Sequence, residues 1–276
     1  MINPYRVLTS SGDINAVDKD SPAYKWLNDN SKTNDVNVCF YNGIYLNPAE
    51  AEVRKLILDG VREIISKYKV DGIHFDDYFY PTTDSNFDEA SYSKYMSAVS
   101  SPLSLEDWRR ENVNALISGC YSAVKSYNKN IVFSVSPAAS IEKDYNNYYA
   151  DVEKWAQGGY LDALIPQIYF GFEHTDKNFR FEKLLDDWYK ICANTDTKLL
   201  IGLAPYKIGL SNSADGDEWS KKTDILSREV RLIYDEKKAD GYVFFSYSTL
   251  FSNDALVLKQ KESLLATINS ISAVTD

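Results

Sequence analysis

A chain of 276 residues, 44% hydrophobic and 25% charged, has the composition of a folded globular protein and is long enough to bury the core of one large α/β domain. Its net charge of −10 excludes nucleic acid and anionic membrane as partners, since either would require a basic surface. The 21 Tyr and 5 Trp stand against only 2 His. Aromatic planes in such number suit sugar rings, whose C–H faces stack on them while the hydroxyls take hydrogen bonds.

In chain order, residues 3–8 read as a short strand, and residues 24–27 as a short helix in a polar stretch. Residues 36–46 are apolar and aromatic around Asn42-Gly43, a strong hairpin signal. Asn47-Pro48 opens a helix in which Val53, Leu56, Ile57, Val61, Ile64 and Ile65 recur at helical spacing. A buried strand follows over residues 70–75. After a long connection, 81–104, helices are expected at 105–126, 149–157, 181–193, 221–235 and 255–271. They alternate with strands at 131–137, 161–170, 198–206 and 241–248. Such alternation means βαβ units and a parallel sheet. Connections longer than about 15 residues are usually functional, so 81–104, with Tyr92 and Tyr95, is expected to be a lid or a wall of a binding site. Cys39, Cys120 and Cys192 are too scattered for a disulfide framework or a metal site and read as buried or incidental thiols. No glycine-rich phosphate loop follows a strand, so no cofactor and no metal is expected. The first residues lack the apolar core of a signal peptide, and no apolar run reaches membrane-spanning length.

The strand at residues 70–75 ends in two acids, Asp76 and Asp77. Alternation puts Ile73 and Phe75 on one face and Gly72, His74 and Asp76 on the other. Asp76 therefore points into the mouth of a barrel, and Asp77 joins it only if the strand has ended or bulged. The competing reading is that the doublet caps a turn or helix. The same parity gathers Ser134 and Ser136, Gln167 and Tyr169, Tyr206, and Ser246 and Ser248 near the C-terminal strand ends, where a barrel holds its site. Each of them alone could equally be a satisfied polar group of the barrel core.

The motifs HFDDYFYP (74–81), WRRENVN (108–114), SVSP (134–137), PQIY (166–169) and FSYS (245–248), with NPYR (3–6) and YLNP (45–48), resemble the glycosyl-hydrolase-like family 10. The resemblance implies a (β/α)8 TIM-barrel hydrolase of glycans, in some members of bacterial peptidoglycan, usually exported to the cell envelope or beyond. In that family NPYR lies near the third strand. Six strands are counted here, so an incomplete barrel of about six of eight units in a single domain is expected, with open edges through which copies could associate. A weaker similarity is to family 18 chitinases, whose catalytic acid falls at the position of Tyr78.

Glycoside hydrolysis needs two carboxyl groups, one protonated and one ionised. Asp76 is the first candidate, Glu173 beyond PQIY the second and Asp77 the reserve; Glu173 could also be a solvated loop acid. His74, Tyr78, Tyr80, Arg109, Asn112, Ser136, Gln167, Tyr169, Tyr206 and Ser246 are candidates for substrate contact. For Arg109 and Asn112, at the start of a helix, the alternative is a surface salt bridge. The rival function is a carbohydrate-binding protein on a degenerate barrel.

Overall fold

The computed structural model describes residues 1–30, 32–77 and 79–275. They form two compact units, Met1–Ser134 with Glu142–Leu161, and Val135–Ile141 with the chain from Asp162 onward.

The first unit runs β1 (Arg6–Leu8), α1 (Pro22–Asn28), β2 (Val38–Phe40), β3 (Ile44–Leu46), α2 (Ala51–Lys67), β4 (Gly72–Phe75), α3 (Glu89–Ala98), α4 (Leu105–Tyr127), β5 (Val132–Val135), α5 (Ile141–Asn147) and α6 (Val152–Gly158). The hairpin forms where Asn42-Gly43 places it: Val38 to Phe40 pair antiparallel with Leu46 to Ile44. Asn42 sits at φ 48°, a conformation Asn tolerates. Gly43 has no freedom to carry a side chain, because a Cβ there would lie 2.5 Å from the Leu8 carbonyl. In α2 the buried face is Val53, Ile57, Val61 and Ile65, a strict four-residue repeat that lays one stripe against α4. Ser104 caps α4 by accepting the Asp107 N–H at 3.1 Å. The turn before β4 is tied to β5 by Val132 N–H to Asp71 O, 2.9 Å.

The first residues do two things. Arg6–Leu8 pairs antiparallel with β3 and not with the parallel strands. Ile2 alone lies parallel to Phe75, its N–H on His74 O at 2.8 Å and its carbonyl taking the Asp76 N–H at 3.0 Å. The sixth expected strand is thus reduced to a single bridge beside β4. The long connection at 81–104 is also different from expectation, because its middle is the helix α3. Tyr92 and Tyr95 are spent on packing, with ring centroids 5.1 and 5.7 Å from Trp108.

The second unit runs β6 (Ala163–Leu164), α7 (Phe181–Cys192), β7 (Lys198–Leu203), α8 (Glu218–Lys221), α9 (Ile225–Glu236), β8 (Gly241–Phe244), α10 (Tyr247–Leu250) and α11 (Ala255–Thr275). Its strands are parallel: β6 on β7, and β7 on β8 in register from Leu200↔Gly241 to Leu203↔Phe244. Val135, the last residue of β5, belongs to this unit and accepts the Ile165 N–H at 2.8 Å. The strand expected over 161–170 shrinks to two residues because Pro166 brings no N–H to the ladder. Gln167 continues the alignment only through isolated bridges to Ala138 and Gly202. Gly202 must be glycine, since a Cβ would meet the Pro166 carbonyl at 2.9 Å.

The fold is α/β of the TIM-barrel type, with five parallel strands, β4 to β8, among the described residues. All three cysteines are buried thiols. No helix among the described residues is long and apolar enough to cross a membrane.

Candidate active site

In the first unit the candidates gather at the end of β4. Ile73 and Phe75 are buried while His74 and Asp76 are partly exposed, as strand parity requires. His74 Nδ1 lies 2.9 Å from Ser134 Oγ on the neighbouring strand. Burial, as the main cause, holds the His74 pKa below its usual value, so the ring is neutral at neutral pH. The strand ends at Phe75, and the chain turns so that Asp77 is only 5% exposed. Its N–H donates to Asp76 Oδ1 at 3.0 Å, and the two carboxyl groups are hydrogen-bonded to each other.

Two acids in contact do not both ionise readily. Burial first, and the charge of Asp76 second, push Asp77 up to about 7, with Arg6 pulling the other way. Asp77 therefore carries a proton at mildly acidic pH, and Asp76 is the member of the pair that reaches solvent. An acid pair split by its environment in this way can run acid and base chemistry near neutrality.

Other candidates from the same motifs are committed elsewhere. Arg109 is fully buried. Its Nε and Nη2 grip Asp88 at 3.1 and 2.5 Å, its Nη1 donates to Tyr149 Oη at 3.1 Å, and its Nη2 also donates to Asp84 O at 2.8 Å. The guanidinium thus locks residues 84–88 onto α4, a structural role in place of the expected substrate contact. Tyr80 is also fully buried, beneath that guanidinium at 5.2 Å and edge-on to Tyr149, so it belongs to the core and not to a binding surface. Asn112 lies among the helices, accepting from Arg54 Nη1 at 3.2 Å. Tyr78 lies outside the described residues.

In the second unit Ser136 is buried and donates to Ile165 O at 2.8 Å, while Gln167 Nε2 donates to Ser136 O at 3.2 Å. These two polar side chains satisfy strand-end carbonyls. Beyond them stands an aromatic cluster. Tyr169 packs edge-on to Tyr206 at 5.5 Å and stacks on Phe245 at 6.1 Å; Tyr206 and Phe245 are 38% and 48% exposed. Ser246 follows, its Oγ 3.0 Å from Ser248 Oγ. Because β8 stops at Phe244, Ser246 and Ser248 leave the strand alternation on which they were chosen. Glu173 has an exposed carboxylate 3.4 Å from Lys222 Nζ.

Sequence reasoning missed Phe245, and it missed a buried set below the loop that follows Phe170: Lys207, Asp215, Glu218 and Glu229. Lys207 Nζ donates to Asp215 Oδ2 at 2.6 Å and to Tyr169 O at 2.9 Å. The stretch 212–218 is so polar that it reads as a solvated loop. The one available signal was Gly171, a glycine directly after a strand.

Parallel strands alternating with helices, with paired acids at one strand end and exposed aromatic rings at others, define the class: a barrel of the glycoside hydrolase type. In fold the chain is similar to the PgaB (BpsB) glycoside hydrolase domain from Bordetella bronchiseptica, with a TM-score of 0.56 and 14% identity over 90% of this chain and 72% of that one. Residues 2–221 match the family Glycosyl hydrolase-like 10, and the chain belongs to that family. It is 30% identical over 274 residues to glycosyl hydrolase YngK of Bacillus subtilis (strain 168), covering 91% of this chain and 50% of that protein. It is 35% identical over 188 residues to glycosyl hydrolase DigH of Escherichia coli (strain K12), covering 62% of this chain and 42% of that one. The chain thus spans about half the length of the curated relatives it matches.

Proposed function

We propose that this protein hydrolyses the glycosidic bonds of a bacterial polysaccharide, with peptidoglycan glycan strands as the first substrate to test, and that it works outside the cell or in its envelope. The observation that carries the reading is the Asp76–Asp77 pair: a partly exposed carboxylate hydrogen-bonded to a buried acid raised to about 7. In this reading the bond between the anomeric carbon and the glycosidic oxygen breaks, and the leaving oxygen takes the one proton of the pair, passed from Asp77 through Asp76. Water adds to the anomeric carbon and gives up a proton to a second carboxylate, for which Glu173 is the candidate to test. Within the second unit Tyr169, Tyr206 and Phe245 offer faces for sugar rings, and Gln167 and Ser246 offer hydrogen bonds; within the first unit His74 offers one beside Asp76.

A purely carbohydrate-binding protein would use the same aromatic cluster, but it gives no reason for a proton held beside Asp76. The test is product release from purified peptidoglycan strands and from chitin-type oligomers by wild type, Asp76→Asn and Glu173→Gln. Asn keeps the shape and most hydrogen bonds of Asp but carries no charge, so Asp76→Asn is expected to lower turnover by about 10² to 10⁴-fold, the usual contribution of a general acid or base. Equal turnover in that variant removes Asp76 from the mechanism. Saturable binding with no cleavage by the wild type supports the binding protein instead.

A further inference from the structure

Glu218 and Glu229 are fully buried acids of the second unit, and neither stands at a strand end. Glu218 lies under the segment that follows Phe170. Its Oε1 accepts the Glu173 N–H at 3.0 Å, and its carboxylate also accepts the N–H of Phe172. The fit is so close that a Cβ on Gly171 would sit 2.0 Å from Glu218 Oε1; the carboxylate fills the space a side chain would take. Glu218 Oε2 and both oxygens of Glu229 find no hydrogen-bond donor. Buried oxygens left this way cost stability unless one of them carries a proton that another can accept.

The asymmetry between the two acids says which one holds it. Glu218 has two backbone N–H groups favouring its charged form, whereas Glu229 has none. Burial, and then the charge of Glu218, push Glu229 well above the usual carboxylate range, against a weaker pull from Arg228 and Lys207. The other charged groups nearby are already engaged: Asp215 is paired with Lys207 and lies 3.9 Å from His174, and Glu173 is paired with Lys222.

We propose that Glu218 is the positioning residue of the loop carrying Glu173, and that Glu229 keeps it in place by staying neutral, so that no second charge opposes the carboxylate that holds the two loop amides. Its bearing on catalysis rests on the glycosidase reading; the loop assignment does not. One buried proton on Glu229 thus leaves the charge of Glu218 to the amides of Phe172 and Glu173. Loss of that proton at alkaline pH would set two carboxylates against each other beneath the loop.

The test is amide hydrogen exchange at Phe172 and Glu173 between pH 6 and 10, expressed as protection factors, with near-ultraviolet circular dichroism reporting the fold. Glu218→Ala is expected to lower protection at these two amides by about tenfold to a hundredfold, the range for hydrogen bonds to a charged acceptor, and to leave α4 unchanged. Glu218→Gln, which keeps an acceptor oxygen, restores most of it. Wild type loses protection at alkaline pH, and Glu229→Gln, whose amide stays neutral throughout, keeps it. A folded Glu218→Ala with wild-type protection at both amides overturns the proposal, as does a Glu229→Gln that loses protection at the same pH as wild type. Should Glu218→Ala fail to fold, the two Gln variants still decide. If exchange follows these expectations while wild type cleaves no glycan, the loop assignment stands and the glycosidase reading falls.

Discussion

The molecule contains two carboxyl pairs that look alike on paper and differ in one respect. Asp76 and Asp77 end a strand, and one of them reaches solvent; Glu218 and Glu229 are both sealed. In each pair, burial and the neighbour's charge favour a proton on one member. The difference lies in what stabilises the other member. Asp76 reaches solvent, so the proton of its pair can exchange with something brought from outside. Glu218 is stabilised by the backbone of a loop, so a proton can reach it only at the expense of that loop. Proton affinity alone does not make an acid catalytic; access does.

The largest stability effect that would break this comparison is expected at Lys207. Its ammonium supports Asp215 at 2.6 Å and the Tyr169 carbonyl at 2.9 Å, and it opposes the raised pKa of Glu229. Lys207→Met keeps the length but removes the charge. It leaves Asp215, 1% exposed, without its cation, a loss expected to cost about 3 to 5 kcal/mol by denaturant melting. A variant as stable as wild type would mean that the Lys207–Asp215 ion pair adds nothing to the stability of the second unit.

A second prediction concerns pH. Asp77 has a folded-state pKa of about 7 against an unfolded value of about 3.9. Between these values the folded chain binds a proton that the unfolded chain does not. Stability contributed by this group is therefore full below about pH 4, declines with rising pH by up to about 1.4 kcal/mol per unit, and levels off above pH 7. Asp77→Asn is expected to flatten that decline in urea titrations between pH 4.5 and 8. The same substitution removes the alkaline limb of the rate near pH 7 if Asp77 feeds the reaction. An unchanged pH dependence of both stability and rate would place the proton elsewhere.

How much of this was legible in the sequence depends on range. The hairpin at Asn42-Gly43, α2 and the alternation of strands and helices follow from local turn chemistry and periodicity, and they form where expected. The side of β4 on which Asp76 emerges follows from parity. What failed depends on distant partners. Tyr80 shares a motif with two candidate acids and Arg109 lies in another of the family motifs, yet Asp88 and Tyr149 draw both into the core, and no spacing within WRRENVN or HFDDYFYP announces those partners. Glu218 is hidden in a stretch as polar as any surface loop. Its burial is decided by Gly171, 47 residues earlier, whose missing side chain leaves room for a carboxylate.

The smallest expected effect is at Tyr206, and it separates access from chemistry. Tyr206 is 38% exposed and meets Tyr169 and Phe245 edge-on at 5.5 and 6.0 Å, so its ring is held by neighbours while part of it reaches solvent. Tyr206→Ala removes one wall of the cluster. If the cluster stacks on sugar rings, the loss is a binding term shared by ground state and transition state, which raises KM and leaves kcat alone. An aromatic stacking contact contributes about 0.5 to 1.5 kcal/mol, so KM should rise by roughly two- to tenfold, and Tyr206→Phe, which keeps the ring, should restore it. A fall in kcat at unchanged KM would instead tie Tyr206 to the reacting atoms, and the acids would no longer be sufficient to account for the chemistry. No change in either constant, with folding intact, would leave the exposed rings without a part in glycan binding.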